Sequence, residues 1–191
     1  MPISAQQIRA TVADYLSLYP QDAEALAALV AALRLDCDLT SRKTFTGHVT
    51  ASAVVLGQGD RVLMVHHRAM DRWLCPGGHL EVDDDDFAEA ALREVGEEAG
   101  IGSDVLVLVS AVPVHIDAHP IPANDVKGEP DHLHFDFRML FRAVGRPEPS
   151  LQEQEVKGAA WRDVVEIPDQ ALRKRIAGTL GALEDSTDDV G

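Results

Sequence analysis

The sequence is short of cysteine, of basic residues and of long apolar runs, and each shortage excludes a class of protein. Its 191 residues include only two cysteines, Cys37 and Cys75. Their separation is not that of a metal-ligand pair. A count of two is typical of a protein of the reducing cytoplasm and argues against a structural disulfide. The longest apolar run, at 105–114, is too short to span a membrane. The N-terminus has no basic flank followed by an apolar core, so no signal peptide is expected.

The charge balance restricts the partners of the chain. There are 17 Lys and Arg residues against 32 Asp and Glu residues, which gives a formal net charge of −15. Binding to nucleic acid or to an anionic membrane depends on clustered basic side chains, so neither partner is expected. An acidic protein can still bind a small phosphate ester when divalent cations lie between the two. A small phosphate-containing molecule is therefore the expected partner.

The patterns along the chain predict one compact α/β domain with an N-terminal addition. Two Ala- and Leu-rich helices are predicted at 4–19 and 21–35. The later predictions are strands at 48–56, 61–67, 105–116, 132–144 and 156–164, a hairpin at 57–60, helices at 86–99 and 168–184, and a Pro-rich loop at 117–130. We expect an α/β/α sandwich around a mixed sheet. Residues 1–40 would form a helical appendage that covers the sheet or mediates a homodimer, residues 41–184 the main domain, and residues 185–191 a disordered acidic tail.

The helix predicted at 86–99 places three carboxylates beside its apolar face. At about 100° per residue, Glu94, Glu97 and Glu98 fall within about 100° of one another. Close acid pairs repel by about 1 kcal/mol in water and several-fold more near a protein surface. A solvated acidic face is the alternative, but the acids border the apolar arc, and the upstream PGG sequence lets backbone amides approach a ligand. Oxygen ligands grouped in this way suit a hard cation such as Mg²⁺ or Mn²⁺.

The segment GGHLEVDDDDFAEAALREVGEEAGI resembles the signature of the Nudix hydrolases, G-x5-E-x7-R-E-U-x-E-E-x-G-U, in which U is aliphatic. Its second half, REVGEEAGI, matches every fixed position. The first half differs, because Asp85 stands at the glutamate position when the count runs back from Arg93. The loop that follows Gly78 is also one residue longer than the signature allows.

The four aspartates of the run DDDD in this segment are given three different roles. Asp86 with Glu89 has the spacing of a capping box at the start of the helix. The resemblance implies that Asp85 supports the loop before the helix. Asp83 and Asp84 are interpreted as the solvated extension of that loop.

The resemblance also implies a fold and a mechanism. The fold would be the Nudix α/β/α sandwich. Glu94, Glu97 and Glu98, with Gly78 as a further residue of the metal site, would hold one to three Mg²⁺ or Mn²⁺ ions. Arg93 would orient the glutamates by ion pairing. Water would attack phosphorus in a nucleoside diphosphate linked to another group, or in a related organic pyrophosphate, and release a nucleotide and a phosphorylated product.

Residues outside the signature supply further candidates. The general base is either a glutamate of the signature or one from a later loop, for which Glu153 and Glu155 are available, with surface acids as the alternative. Arg68 and Arg72 are predicted to contact the phosphate or a sugar, with surface placement as the alternative. Cys75 lies beside the glycine pair and is interpreted as a small buried residue rather than a nucleophile.

Four histidines lie around the predicted Pro-rich loop. His132 and His134 alternate on one predicted strand and therefore share a face. With His115 and His119 they form a group for which three interpretations stay open. These are contact with the substrate, structural hydrogen bonding, and a transition-metal site that also includes Asp136. Contact of His132 and His134 with the substrate is the predicted role.

Two other functions are compatible with the resemblance. A non-catalytic Nudix domain that senses a nucleotide would bind its ligand without turnover, although the intact signature acids favour catalysis. An isopentenyl diphosphate isomerase-like enzyme shares the fold but needs a cysteine in a local motif that WLCPGGH does not resemble. The sequence therefore predicts a divalent-metal-dependent pyrophosphohydrolase first.

Overall fold

The computed structural model describes residues 2–35, 37–59, 61–68, 70–150 and 156–188. The helices of this part are α1 Ala5–Leu18, α2 Ala27–Ala32, α3 Phe87–Ala99 and α4 Gln170–Asp188. Its strands are β1 His48–Leu56, β2 Arg61–His67, β3 Arg72–Leu74, β4 Gly77–His79, β5 Leu106–Leu108, β6 His115–Ile121, β7 His132–Ala143 and β8 Val156–Asp163. Within the described segments, no helix has the length and apolar character needed to cross a lipid bilayer.

The strands form one eight-stranded sheet with β1 and β7 paired in parallel at its centre. The main path runs β3-β2-β1-β7-β5, while β4 pairs with β1, β6 with β7, and β8 with β2. These other pairs are antiparallel, so the predicted mixed sheet is confirmed. The predicted hairpin is also confirmed, because Leu56 of β1 opposes Val62 of β2.

Alternation along β1 divides the apolar core between two faces of the sheet. The residues of β1 in the cluster that includes α3 are Val49, Ala51, Ala53 and Val55. We call this side the first face. On the second face, Val54 and Leu56 pack in a separate cluster with Leu172 and Ile176 of α4. Helices therefore cover both faces, which confirms the predicted α/β/α sandwich.

The N-terminal helices share the apolar cluster of the first face. Ile8, Val12 and Tyr15 of α1 and Leu29 of α2 are buried in that cluster. Arg175 of α4 donates a hydrogen bond to the Tyr15 hydroxyl, which joins the N-terminal and C-terminal helices. The packing is therefore continuous with that of the sheet, and a domain boundary after residue 40 stays a prediction.

The predicted continuous strand at 105–116 is wrong. The structure divides it into β5 and β6, with Pro113, which has no amide hydrogen to donate, between the two. Part of the segment is exposed, because Val107 is 55% exposed and Leu108 is 40% exposed. Strand β6 then continues into the segment predicted as a loop at 117–130, so the loop is shorter than expected.

The helices predicted at 21–35 and 168–184 differ in length from the observed ones. The first is reduced to α2, because a short 3-10 turn begins at Pro20 and the chain turns before α2 starts. Helix α4 continues to Asp188, inside the segment predicted as a tail. Residues 189–191 lie outside the described residues, so the disordered tail stays a prediction.

Candidate functional site

Strand β4 brings two glycines against the carboxylate helix. A Cβ added to Gly78 would lie 2.4 Å from Oε1 of Glu94, and one added to Gly77 would lie 2.2 Å from the Ser52 hydroxyl. The Gly77 amide donates a hydrogen bond of 3.1 Å to Oε2 of Glu98. No side chain fits at either position without displacing a neighbour, so two glutamates of α3 lie directly against the backbone of β4.

Arg93 holds the acids of the site in position. Its guanidinium donates to Oε1 of Glu94 and Oε2 of Glu97, each at 2.9 Å. It also donates to Oδ1 of Asp84 at 3.1 Å and to the carbonyl of His79 at 2.8 Å. Desolvation opposes the charge, but the bonds to Asp84 and Glu94 outweigh it and raise the pKa of Arg93 above its usual value. The guanidinium therefore stays charged and links α3 to the loop and to β4.

Asp84 has the supporting role that was predicted for Asp85. The Asp84 side chain is 4% exposed and accepts from Arg93 at 3.1 and 3.2 Å and from the Glu81 amide at 2.7 Å. Asp85 is exposed. The prediction of a solvated Asp84 is therefore wrong, because the extra residue of the loop follows Asp84. Counted forward, Asp84 is the sixth residue after Gly78, which is the glutamate position of the signature.

Helix α3 begins at the expected cap and ends at a glycine. The Asp86 carboxylate accepts from the Glu89 amide at 2.8 Å, which confirms the predicted N-cap. The return bond is shifted by one residue, since the Glu89 carboxylate accepts from the Asp85 amide at 2.8 Å. At the other end Gly100 has a φ of 63°, the left-handed conformation that glycine adopts readily. Both caps hold the first and last turns of the helix that carries the glutamates.

The oxygen atoms of the site suit a hard cation. The three glutamates and Asp84 carry four negative charges against the single positive charge of Arg93. The side chain of Glu94 is 12% exposed and that of Glu97 is 39% exposed. Partial burial makes an excess of negative charge costly, and carboxylate oxygens are the ligands that Mg²⁺ prefers. The residues present therefore fit Mg²⁺ or Mn²⁺.

A second polar region lies on the second face, where β7 carries an ion-pair network. Asp136 accepts from the Ser52 hydroxyl at 2.8 Å and from Nε of Arg138 at 3.0 Å. Arg138 also donates to Asp117 at 3.1 Å and to Asp169 at 2.7 Å. Because Asp136 is held by these neighbours, the network does not favour the interpretation that places it in a metal site.

His115 contacts residues of α1 and of the α4 region, unlike the other histidines of the predicted group. Its Nε2 lies 3.1 Å from the carboxylate of Asp169, and its Nδ1 lies 3.3 Å from the Tyr15 hydroxyl and 2.6 Å from Arg175. The hydrogen bond from His115 has the largest effect on the pKa of Asp169 and lowers it. Burial opposes this shift, but the hydrogen bond from the Leu172 amide adds to it, so the pKa stays well below its usual range. His115 thus joins α4 to the sheet.

Five imidazole rings group together on the second face beside β4. They belong to His48 of β1, His79 of β4, His119 of β6, and His132 and His134 of β7. The centroid of the His134 ring lies 4.6 Å from that of His48, 5.2 Å from His79, 5.8 Å from His119 and 5.1 Å from His132. Sequence reasoning missed His48 and His79, because strand pairing and not sequence proximity brings them here. The available signal was the polar alternation at the start of β1.

Burial keeps the inner rings of this histidine cluster neutral. Desolvation, followed by the charges of neighbouring imidazoles, lowers the pKa of His134 to about 3. Desolvation and then the Arg42 charge lower the pKa of His79 to about 4. Desolvation also lowers the pKa of His48. At neutral pH each ring therefore keeps a lone pair on one nitrogen, where it can accept a hydrogen bond or bind a metal.

Of the remaining predicted residues, some have other contacts and some lie outside the part of the chain that the structure describes. Arg72 is exposed at the start of β3, and Arg68 donates to the main chain at the start of β8 at 3.4 Å, so their contact with substrate stays a prediction. Glu153 and Glu155 lie outside the described residues. Desolvation raises the pKa of the Cys75 thiol to about 11, which supports a structural role, since the thiolate is the nucleophilic form.

Comparisons with known proteins agree with the geometry. The family model of the NUDIX domain matches residues 46–180. A curated relative, "Probable DHNTP pyrophosphohydrolase" of Lactococcus lactis subsp. cremoris (strain MG1363), is 30% identical over 109 residues, which cover 57% of this chain and 57% of the relative. The match therefore spans little more than half of the relative's length.

Solved structures show the same fold. A C. elegans Ap4A hydrolase binary complex has a TM-score of 0.55 at 17% identity and covers 70% of this chain and 98% of its own. A NUDIX-family hydrolase from Clostridium perfringens has a TM-score of 0.51 at 24% identity, and the match covers 71% of this chain and 97% of the hydrolase. The family model matches most of the length of this chain, and the signature glutamates are assembled on α3, so the chain belongs to the Nudix family.

Proposed function

We propose that the protein is a divalent-metal-dependent pyrophosphohydrolase that uses water to cleave a phosphoric anhydride bond. The observation that carries this proposal is the meeting of the signature glutamates with the backbone of β4 around Arg93. Membership of the Nudix family supports it, and the name of the Lactococcus relative is that of the same reaction class. No described residue favours the nucleotide sensor or the isomerase.

The proposal gives each residue of the site a role that fits its position. Glu94, Glu97 and Glu98, with Gly78 beside them, would hold Mg²⁺ or Mn²⁺, and Gly78 leaves the space that the Glu94 carboxylate fills. When bound there, such a cation would offset charge that develops on phosphoryl oxygens and would lower the pKa of the attacking water. Arg93 is a positioning residue, because it fixes the glutamates without being required to contact the substrate.

The proposal also covers the substrate, the general base, the cellular location and the oligomeric state. The substrate is a nucleoside diphosphate linked to another group or a related organic pyrophosphate, which Arg68, Arg72, His132 and His134 contact. A general base comes either from the signature or from Glu155. The two cysteines are both free thiols, in keeping with the cytoplasm as the location, and a homodimer formed through the N-terminal helices is included in the proposal.

The metal assignment is tested by phosphate release from the purified full chain. Glu98→Gln and Glu97→Gln are each expected to lower turnover with saturating Mg²⁺ at least about 100-fold, because each removes a charged ligand from the site. Glu89→Gln is the matched control, since it lies on the same helix and an amide oxygen can still accept from the main chain. Full activity in either site variant would overturn the assignment.

The substrate class is tested with a panel. It contains nucleotide sugars, dinucleoside polyphosphates, nucleoside triphosphates, DHNTP and non-nucleotide pyrophosphates, each with Mg²⁺ and with Mn²⁺. Metal-dependent release of phosphate or of a phosphorylated product from at least one class is the expected result. Tight binding of a nucleotide without turnover of any compound would instead support the sensor.

A further inference from the structure

Three rings of the histidine cluster lie close enough together to bind one metal ion, and the proposed hydrolysis does not require an ion at this position. One ligand atom from each of His48, His79 and His134 can be chosen so that all three atoms lie within 4.8 Å of one another. Each residue is on a different strand, and the pairing of β1 with β4 and with β7 holds the three backbones in register. The position of the cluster is therefore set by the rigid centre of the sheet.

His48 shows that one of these rings is prepared for a ligand. Its Nδ1 lies 3.3 Å from the carbonyl oxygen of Thr44, which places the proton on Nδ1 and the lone pair on Nε2. Nε2 is buried and has no hydrogen-bond partner among the described residues. A hydrogen bond at the opposite ring nitrogen is the arrangement that orients histidines for a metal. A cation bound at Nε2 would satisfy an atom that is otherwise left without a partner.

The His132 ring, next to His134, resembles that of His48 in having its Nδ1 beside a main-chain carbonyl. Its Nδ1 lies 2.8 Å from the carbonyl of Pro130, and its Nε2 lies 3.2 Å from Nε2 of His134. Two nitrogen ligands at about 2.0–2.1 Å from one tetrahedral ion lie about 3.3–3.4 Å apart. The observed spacing is that of a hydrogen bond between the two rings and is also close to that of two ligands on one ion. We therefore include His132, which lies outside the group of three, as the fourth candidate ligand.

We propose that His48, His79 and His134, together with His132, bind one transition-metal cation such as Zn²⁺, a role that for His132 and His134 takes the place of contact with the substrate. Imidazole nitrogen suits Zn²⁺, Co²⁺, Ni²⁺ or Cu²⁺, whereas Mg²⁺ selects oxygen. The site is separate from the carboxylates, because Gly78 faces Glu94 on one side of β4 and His79 joins the histidine cluster on the other. The two sites thus differ in ligand chemistry as well as in position.

The first test uses the unmodified full chain, stripped with a chelator and kept in excess Mg²⁺ so that the carboxylates are occupied. Zn²⁺ is titrated by calorimetry, and the imidazole nitrogens are followed by two-bond ¹H–¹⁵N spectra. One Zn²⁺ is expected to bind per chain and to shift the resonances of the four proposed ligands. His66, which pairs with Asp71 outside the cluster, is the internal control and is expected not to shift.

The second test compares variants under the same conditions. His134→Ala and His48→Ala are expected to weaken Zn²⁺ binding at least about 100-fold, since loss of supporting contacts alone costs 10–100-fold. His66→Ala and Glu98→Gln are expected to bind Zn²⁺ as the unmodified chain does. Absence of Zn²⁺ uptake by the unmodified chain, unchanged affinity in folded His134→Ala, or loss only in Glu98→Gln would each overturn the proposal. If a histidine variant does not fold, the spectra of the unmodified chain decide the question.

Discussion

Replacement of Asp84 by asparagine isolates the charge that holds Arg93 in the loop before α3. Asparagine keeps the shape of the side chain, but one oxygen becomes an amide group that cannot accept from the guanidinium. A hydrogen bond to a charged group contributes about 1.5–3 kcal/mol, and loss of one partner of a buried ion pair costs about 3–5 kcal/mol. Arg93 is 20% exposed and keeps Glu94 and Glu97 as partners. We therefore expect the free energy of unfolding to fall by about 2–3 kcal/mol.

Urea unfolding measures this loss. With a slope of about 2 kcal/mol per molar urea, the midpoint of Asp84→Asn is expected to fall by about 1–1.5 M, and hydrolysis is expected to fall with it. Asp85→Asn is the matched control, because Asp85 is exposed and its main-chain bonds to Glu89 and Gln7 are unaffected. Its stability should change by no more than about 0.5 kcal/mol. A larger loss in Asp85→Asn than in Asp84→Asn would refute the placement of the inserted residue after Asp84.

Three further predictions test the glycine contact, the ion-pair network and the N-terminal packing. Gly78→Ala brings a Cβ to 2.4 Å from the Glu94 carboxylate, so metal-dependent hydrolysis should fall at least about tenfold. Gly96→Ala, whose Cβ meets nothing closer than 4.0 Å, should raise the Tm, because alanine favours a helix by about 1 kcal/mol over glycine. Unchanged activity in the Gly78 variant would contradict the contact. The folded-state pKa of Asp169 lies below the unfolded value of about 3.9, so its charge stabilises the fold above that pH and the contribution is lost as the pH falls. The difference in urea midpoint between Asp169→Asn and the unmodified chain should therefore become smaller below about pH 4. A difference that does not change with pH would contradict a stabilising role of the Asp169 charge. Ile8→Ala removes a side chain that is 0% exposed and should cost about 2–5 kcal/mol in a single cooperative transition by circular dichroism. A separate early transition would instead support an independent appendage.

Local patterns were sufficient to predict the helix that carries the chemistry. The period of the apolar residues and the glycine at 100 define α3, and the spacing of Glu94, Glu97 and Glu98 places them on one side of it. These features depend on residues within a few turns of one another. Sequence reasoning about the strands succeeded for the same reason at β1, β2 and β7, where alternation or a glycine-rich hairpin is visible.

Features set by distant contacts were not predictable in this way. Counting back from Arg93 selects Asp85, whereas the loop geometry buries Asp84, and only the position of Gly78 relative to α3 decides between them. The histidine cluster shows the same limit, because His48 and His79 reach His134 through strand pairing. The single run at 105–116 was divided because the residues between Val109 and Val114 leave the ladder with β7, and the strand resumes in the same direction at His115, which an apolar pattern does not reveal.

The parallel pair at the centre of the sheet has a consequence for the rate of folding. Thr50 and Asp136, which oppose each other across β1 and β7, are 86 positions apart in the chain. A segment of that length must close before the two strands align, and long-range pairing of this kind slows folding. Helix α3 needs only local contacts and can form in microseconds. A refolding chain should therefore gain helical signal well before it gains activity, because β4 and its glycines reach the glutamates only when the sheet closes.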